Sequence, residues 1–136
     1  MNGEGSVGVP VTIVGVLTAI RTHLSDPALP EPWSVQVCPT QPDHQVSVQL
    51  RHHGLLSVAA GLVVWAATLT EVTARVWRTP DGQQVHLSIH GRLPCGLWVR
   101  VLGGAPFTTG IAGELTPNTS VGVPVESLRH LAGDSQ

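Results

Sequence analysis

The amino-acid sequence predicts an α+β protein: a two-layer sandwich in which a mainly antiparallel sheet of about five strands carries its helices on one face. Three observations lead to this fold class. Two segments place apolar residues at helical spacing, and five segments alternate between apolar and polar residues. Short turn sequences rich in Pro, Gly and Asp separate several of these segments. The predicted order of elements is α-β-β-α-β-β-β.

The chain length favours one domain. With 136 residues, of which 42% are hydrophobic, the chain can form a single two-layer core. Residues 1–9 are rich in Gly and are predicted to be a flexible leader. Residues 10–104 are predicted to form the α+β domain. Residues 105–136 are predicted to be an irregular tail with a short helix in the region 123–131.

The first helix is predicted to begin at Pro10 and to end before Ser25, where a Ser-Asp-Pro sequence stops it. Its apolar stripe, at steps of four, three and four, consists of Ile13, Leu17, Ile20 and Leu24. A first hairpin follows, with alternating strands at 34–38 and 45–50. The sequence PTQPDH between these strands is typical of a turn.

The second helix is predicted to open at Gly54, and it is apolar around most of its circumference. Its core stripe consists of Leu55, Ala59, Leu62, Ala66 and Leu69. Val58, Val64 and Trp65 fall partly outside this stripe and form a candidate interface, because a helix this apolar is buried on two sides or contacts a partner. The apolar run 55–69 has fifteen residues. This is short of the roughly 20 that a bilayer span needs, so no membrane association is expected.

Three further strands are predicted at 71–78, 84–90 and 97–102. The turn Thr79-Pro80-Asp81-Gly82 has Pro at its second position and Gly at its fourth, which is a strong turn signal. A hairpin symmetric about this turn would pair Val76 with Val85 and Arg75 with His86. The next turn, at 92–96, would place Ile89 near Val99 and His90 near Trp98.

The two faces of this three-stranded segment differ in chemistry. One face is an ordinary core of Val72, Ala74, Val76, Val85, Leu87, Ile89, Val99 and Val101. The other, called the polar face below, carries Thr73, Arg75, Trp77, His86, Ser88, His90, Trp98 and Arg100. If the helices cover the first face, the polar face is open and is the candidate binding surface, with six site residues: Arg75, Trp77, His86, His90, Trp98 and Arg100.

Three uses of the polar face remain open. Trp and Arg are enriched at protein–protein interfaces, which favours a homodimer or another protein as partner. Aromatic rings beside arginines also stack single-stranded nucleic-acid bases. Alternatively, the C-terminal tail packs over Trp77 and Trp98.

The charge composition excludes a global attraction to polyanions. The net charge is −2 and only 12% of residues are charged, so any attraction to nucleic acid has to be local. The basic residues other than histidine are all arginines, at positions 21, 51, 75, 78, 92, 100 and 129. The N-terminal sequence MNGEGSVGVP has an acid and no base, which is a poor signal peptide and favours a cytoplasmic protein.

No motif for catalysis, a cofactor or a metal is recognisable. There is no G-x-S-x-G sequence and no phosphate-binding glycine loop. His86 and His90 share a face but lie roughly 13 Å apart along a strand, too far for one metal ion. Cys38 and Cys95 form no CxxC pair and are expected to be free thiols unless the strand ends meet. We therefore expect no catalytic residues, cofactor or metal.

Residues 10–102 resemble a class of small α+β proteins from GC-rich actinobacteria and their phages or integrative elements. The resemblance lies in a helix followed by HLSDPALPEPWSVQV, a hairpin ending in VSVQL, a helix ending in VVWAATLT and the strand VHLSIHGRL. It implies a cytoplasmic accessory role, as in a mobile element, and assigns no site residues.

The function predicted from the sequence is therefore non-enzymatic: a homodimeric binding or accessory protein acting through protein–protein contacts. The alternative is a nucleic-acid-associated protein of a phage or mobile element that uses the Arg and Trp residues of the polar face.

Overall fold

The computed structural model describes residues 12–51, 54–108 and 115–133. The predicted leader, 1–9, and the predicted helix start at Pro10 lie outside these residues. The elements in chain order are α1 (Ile13–Leu24), β1 (Pro32–Val37), β2 (Val46–Leu50), α2 (Leu55–Ala66), β3 (Thr70–Arg78), β4 (Gln84–Arg92), β5 (Trp98–Pro106), β6 (Ser120–Val123) and α3 (Val125–Leu131). In the described part of the chain, no helix is long and apolar enough to cross a membrane.

The sheet has six strands in the order β1-β2-β5-β4-β3-β6. β2 and β5 run parallel, and every other neighbouring pair is antiparallel. The predicted α+β class with a mainly antiparallel sheet is confirmed, with six strands in place of about five. The parallel pair needs a long crossover, and the segment α2-β3-β4 supplies it, so α2 lies over the middle of the sheet and contacts β4 and β5.

The helices and one face of the sheet enclose a single core. Val16 and Ile20 of α1, Leu62 of α2 and Leu128 of α3 are all buried in it. The sheet contributes the alternate residues of each strand, as the period of two requires. The predicted core face of β3–β5 is confirmed: seven of its eight residues are buried and Val72 is half-buried against them.

The predicted β3–β4 register was wrong by two residues. Val76 pairs with Leu87, and Arg75 pairs with Ser88. The β-turn from Thr79 to Gly82 forms as predicted, with Gly82 N–H donating to Thr79 O at 2.8 Å. However, Gly82 is left-handed at φ 76°, and Thr79 pairs with Gln84 through a 3.0 Å backbone hydrogen bond. The loop therefore has two more residues than a symmetric turn, and a shift of two preserves both faces.

The β4–β5 register also differs from the prediction by two residues. Ile89 pairs with Val101, and His90 pairs with Arg100. The five-residue loop between Arg92 and Trp98 is closed by a hydrogen bond from Leu93 N–H to Leu97 O of 2.8 Å. His90 nevertheless lies near Trp98 as predicted, because the two rings stack diagonally across the strands.

The predicted apolar stripe of α1 was partly wrong. Ile13 and Leu17 are 59% and 47% exposed, whereas Val16 and Ile20 are buried. The helix is held by His23, whose ring lies 5.3 Å from the Trp65 ring and whose Nε2 hydrogen-bonds to the Thr68 hydroxyl at 2.9 Å. With His23 placed against α2 in this way, Val16, and not Leu17, faces the core.

The C-terminal segment belongs to the fold. β5 continues to Pro106, β6 pairs with β3, and α3 packs on α2. The predicted short helix is confirmed, and Leu128 at its centre is fully buried. The predicted irregular tail therefore contributes an edge strand and a third helix.

A close approach between α2 and β5 provides a test of this packing. A Cβ on Gly103 would lie 2.8 Å from the Val58 Cγ1 atom. We expect Gly103→Ala to lower the free energy of unfolding by about 1–3 kcal/mol, the usual cost of overpacking. In the double variant with Val58→Ala the loss should be smaller than the sum of the two single losses, because the clashing methyl groups are gone. Urea denaturation followed by circular dichroism measures all of these values.

Gly122→Ala is the matched control for this experiment. Its Cβ would have no heavy atom nearer than 3.8 Å, so its effect should be small. Equal stability of Gly103→Ala and Gly122→Ala would contradict the packing of α2 on β5.

Candidate binding site on the polar face of the sheet

The polar face is the side of the sheet opposite the three helices. Arg75, Trp77 and Arg100 are exposed on it, and His86, Ser88, His90 and Trp98 are half-exposed. This arrangement follows from the strands, since the neighbours of Arg75 along β3, Ala74 and Val76, are buried on the other side. The loop before β2 folds against one end of this face, where His90 Nε2–H donates to Asp43 O at 2.6 Å.

Two adjacent depressions on the polar face form one groove. They have volumes of about 390 Å³ and 350 Å³ and share Arg75, Ser88 and Arg100. The first extends towards the β3–β4 turn and is also lined by Trp77, His86, Leu102 and Ser120. The second extends towards the loop before β2 and is also lined by Asp43, His44, Thr73 and His90. The groove therefore runs obliquely across β3, β4 and β5.

Two arginines flank the centre of the groove. Arg75 on β3 pairs with Ser88 on β4, and Arg100 on β5 pairs with His90, two residues along the same strand. Arg75 Nη2 donates to Ser120 Oγ at 2.8 Å. Among residues 12–51, 54–108 and 115–133, the ion pairs within 4.0 Å are Arg92–Glu71 and Arg129–Glu126. Neither Arg75 nor Arg100 has a carboxylate partner in this part of the chain.

The groove is therefore positively charged although the whole protein is not. Its described lining contains the two arginines and one carboxylate, that of Asp43. Charge in a concave surface raises the local concentration of counter-ions more than the same charge on a convex one. Planar guanidinium groups also match carboxylate and phosphate oxygens in two-point contacts.

His44, at the Asp43 end of the groove, is held in its neutral form and does not add to this charge. Burial lowers the pKa of His44 below its ordinary value, and the nearby Arg100 and His90 lower it further, while Asp43 opposes them. The His44 and His90 rings meet edge to face with centroids 6.5 Å apart. His44 is therefore a neutral hydrogen-bonding group, and the arginines carry the positive charge.

The two tryptophans of the polar face have different environments. Trp77 is 37% exposed and lines the groove; its ring centroid lies 5.4 Å from that of His86. Trp98 stacks on His90 at 4.7 Å with an angle of 2° between the rings, and the Arg92 guanidinium carbon lies 5.2 Å from its centroid. Trp77 can contact a ligand, whereas Trp98 is occupied by its own chain.

Five of the six predicted site residues line the groove. The sixth, Trp98, does not line it but stacks on His90, which does. Sequence reasoning did not identify Asp43, His44, Leu102 and Ser120 as part of the site. Asp43 and His44 lie in a turn whose contact with the distant His90 has no local sequence signal. Ser120 lies on β6, in a stretch read as loop because it is rich in Gly, Thr and Pro.

The candidate interface on α2 has to be corrected. Val58 and Trp65 are 1% and 0% exposed, within the core of a single chain. Val64 alone of the three is half-exposed. The helix is apolar on most sides because β4 and β5 lie on one side of it and α3 on another, so a partner is not needed to explain its composition.

Other candidate groups are dispersed. Cys38 and Cys95 are both free thiols. Within the described ranges, no three His, Cys, Asp or Glu side chains come close enough to hold a metal ion. The adjacent pair His52 and His53 lies outside these ranges.

No protein-family model, curated protein or solved structure matches the chain. A proposal for its function therefore has to rest on its own side chains.

The coupling between Arg100 and His44 is testable in the free protein. Replacing Arg100 with Gln should raise the pKa of His44, because a positive charge that opposes protonation of the imidazole is removed. Burial persists in this variant, so the pKa should stay below that of an exposed histidine. An NMR titration of the imidazole protons measures both values.

Arg21→Gln is the control, because Arg21 is an exposed arginine on α1, on the other side of the sheet. It should leave the pKa of His44 unchanged. If the pKa of His44 is unchanged in Arg100→Gln as well, the Arg100 guanidinium does not lie close to the His44 imidazole.

Proposed function

We propose that this protein is a non-enzymatic binding protein and that the groove on its polar face holds an anionic partner. The observation that carries the proposal is the pair of exposed arginines, Arg75 and Arg100, without carboxylate partners in the described chain. They lie on opposite sides of β4, and both line each of the two adjoining depressions that make up the groove. Phosphate or carboxylate groups are the partners that guanidinium groups of this arrangement bind best.

The charge of the groove favours an anionic partner over a second copy of the chain at this surface. A homodimer formed through the polar face would bring two arginines of each copy against a single groove carboxylate, Asp43. Like charges placed together at an interface oppose association. The homodimer predicted from the sequence stays a prediction. A surface that favours it is α1, where the apolar side chains of Ile13, Val14 and Leu17 are exposed.

The strength of such binding depends on several contacts acting together. One exposed ion pair contributes on the order of 0–1 kcal/mol, because water and salt screen it. A partner with several linked anionic groups gains from each further contact without a new loss of translational freedom. A polyanion therefore fits the groove better than an isolated anion, and its affinity should fall as salt is added.

Binding of inorganic polyphosphate, measured by isothermal titration calorimetry, tests the proposal. We expect binding at low ionic strength that weakens between about 20 and 200 mM salt. Arg75→Gln and Arg100→Gln should each weaken it by about fivefold, which corresponds to a contact of about 1 kcal/mol.

Arg21→Gln removes the same charge from α1 and should change the affinity little. If the wild-type protein does not bind polyphosphate at low salt, the proposal is wrong. If all three variants lose affinity equally, net charge and not the groove is responsible, and the proposed site is wrong.

A further inference from the structure

We propose that the anionic partner is a single-stranded nucleic acid whose phosphates contact Arg75 and Arg100 while one base stacks on Trp77. This inference rests on the proposed function and names the partner class of the same groove. It depends on a second observation: the groove brings an exposed indole to the same surface as two guanidinium groups that have no carboxylate partner in the described chain.

Trp77 is placed as a stacking platform. The ring lines the wall of the groove beside Arg75, its neighbour on the same face of β3. His86 lies against the indole at a tilt of 38°, which restricts the orientation of the ring. A base stacked on an aromatic ring of this kind strengthens binding by roughly 5- to 150-fold and does so for any base. This exceeds the contribution of a single exposed ion pair, so Trp77 should dominate the preference for bases.

The length of the groove fits a short strand. The part of the groove on β4 runs from His86 to His90, a distance of roughly 13 Å at the rise of a β-strand. This equals about four steps of a stacked strand at 3.4 Å each, and fewer steps of an extended one. The groove therefore accommodates at most about four nucleotides, which is the small end of the range for single-strand binding domains.

The positions of the charges agree with this path. Arg75 and Arg100 lie near the centre of the groove, between Trp77 at one end and His44 at the other. A strand with its terminal base on Trp77 would then place successive phosphates beside the two guanidinium groups. Ser88 and Ser120 on the floor and rim offer hydroxyl groups to sugar or phosphate oxygens.

Two other polyanions satisfy the site less well. An acidic peptide would neutralise the arginines but would bring no large flat surface to the Trp77 ring. A duplex keeps its bases stacked on one another and shows only their edges in its grooves, so no base face is available to the indole. A single strand alone offers both phosphates and unpaired base faces.

Fluorescence anisotropy with four labelled probes tests the inference: an eight-nucleotide thymidine strand, an abasic strand of the same length, a duplex of eight base pairs and a peptide of eight glutamates. The abasic strand carries the same phosphates without bases. We expect the thymidine strand to bind about tenfold more tightly than the abasic strand, as one stacked base of about 1.4 kcal/mol would give. The duplex and the peptide should bind more weakly than the thymidine strand.

The variants separate stacking from charge. Trp77→Ala should reduce affinity for the thymidine strand to that for the abasic strand and leave the abasic strand unaffected. Unchanged binding of the abasic strand also shows that this variant is folded. Trp77→Phe should retain most of the affinity. Trp33→Ala is the matched control, because Trp33 is a 65% exposed tryptophan on β1 that does not line the groove; it should change nothing.

The possible results distinguish this inference from the proposed function. Equal binding of thymidine and abasic strands, with no effect of Trp77→Ala, overturns the inference but leaves an anion-binding groove. Tighter binding of the glutamate peptide identifies a protein partner and also overturns it. If neither these probes nor polyphosphate bind at low salt, the proposed function fails and this inference fails with it.

Discussion

The contact between α2 and β5 determines which surface of this protein is available for binding. Gly103 lets Val58 approach the strand so closely that a single added carbon would clash. With α2 packed there, Val99, Val101 and Gly103 of β5 face the core. Arg100 and Leu102 lie on the opposite face of the sheet. Because β4 and β3 extend the same sheet, one helix position assigns the faces of all three strands.

The two faces of the strands were predictable from sequence, whereas the registers between the strands were not. Alternation of apolar and polar residues is a local signal, and a register error of two residues leaves it intact. The register depends on the number of residues in the β3–β4 loop. There Asp81 accepts hydrogen bonds from the Thr79 hydroxyl at 2.6 Å and from Gln83 N–H at 2.9 Å. The left-handed Gly82 completes this wider loop, and no rule of turn composition distinguishes it from a symmetric one.

The site was predictable only to the same extent. Arg75, Trp77 and Arg100 were identified because they alternate with core residues on their own strands. Ser120 joins them through the pairing of β6 with β3. This contact is long-range, and the weak alternation of the four residues of β6 does not reveal it. The exclusion of Trp98 from the groove depends on the positions of the His90 ring and the Arg92 guanidinium. Side-chain packing of this kind is decided by tertiary structure, and strand periodicity carries no information about it.

The positive charge of the groove depends on its two arginines. Its positive charge belongs to guanidinium groups, which stay protonated at any physiological pH. Burial and Arg100 both lower the pKa of His44, which favours its neutral form. Burial and Arg100 thus oppose a further positive charge at the His44 end of the groove. An anion bound at Arg100 would relieve this suppression, since its negative charge offsets the guanidinium next to the imidazole. In the proposed complex, Arg100 would therefore link binding of the anion to protonation of His44.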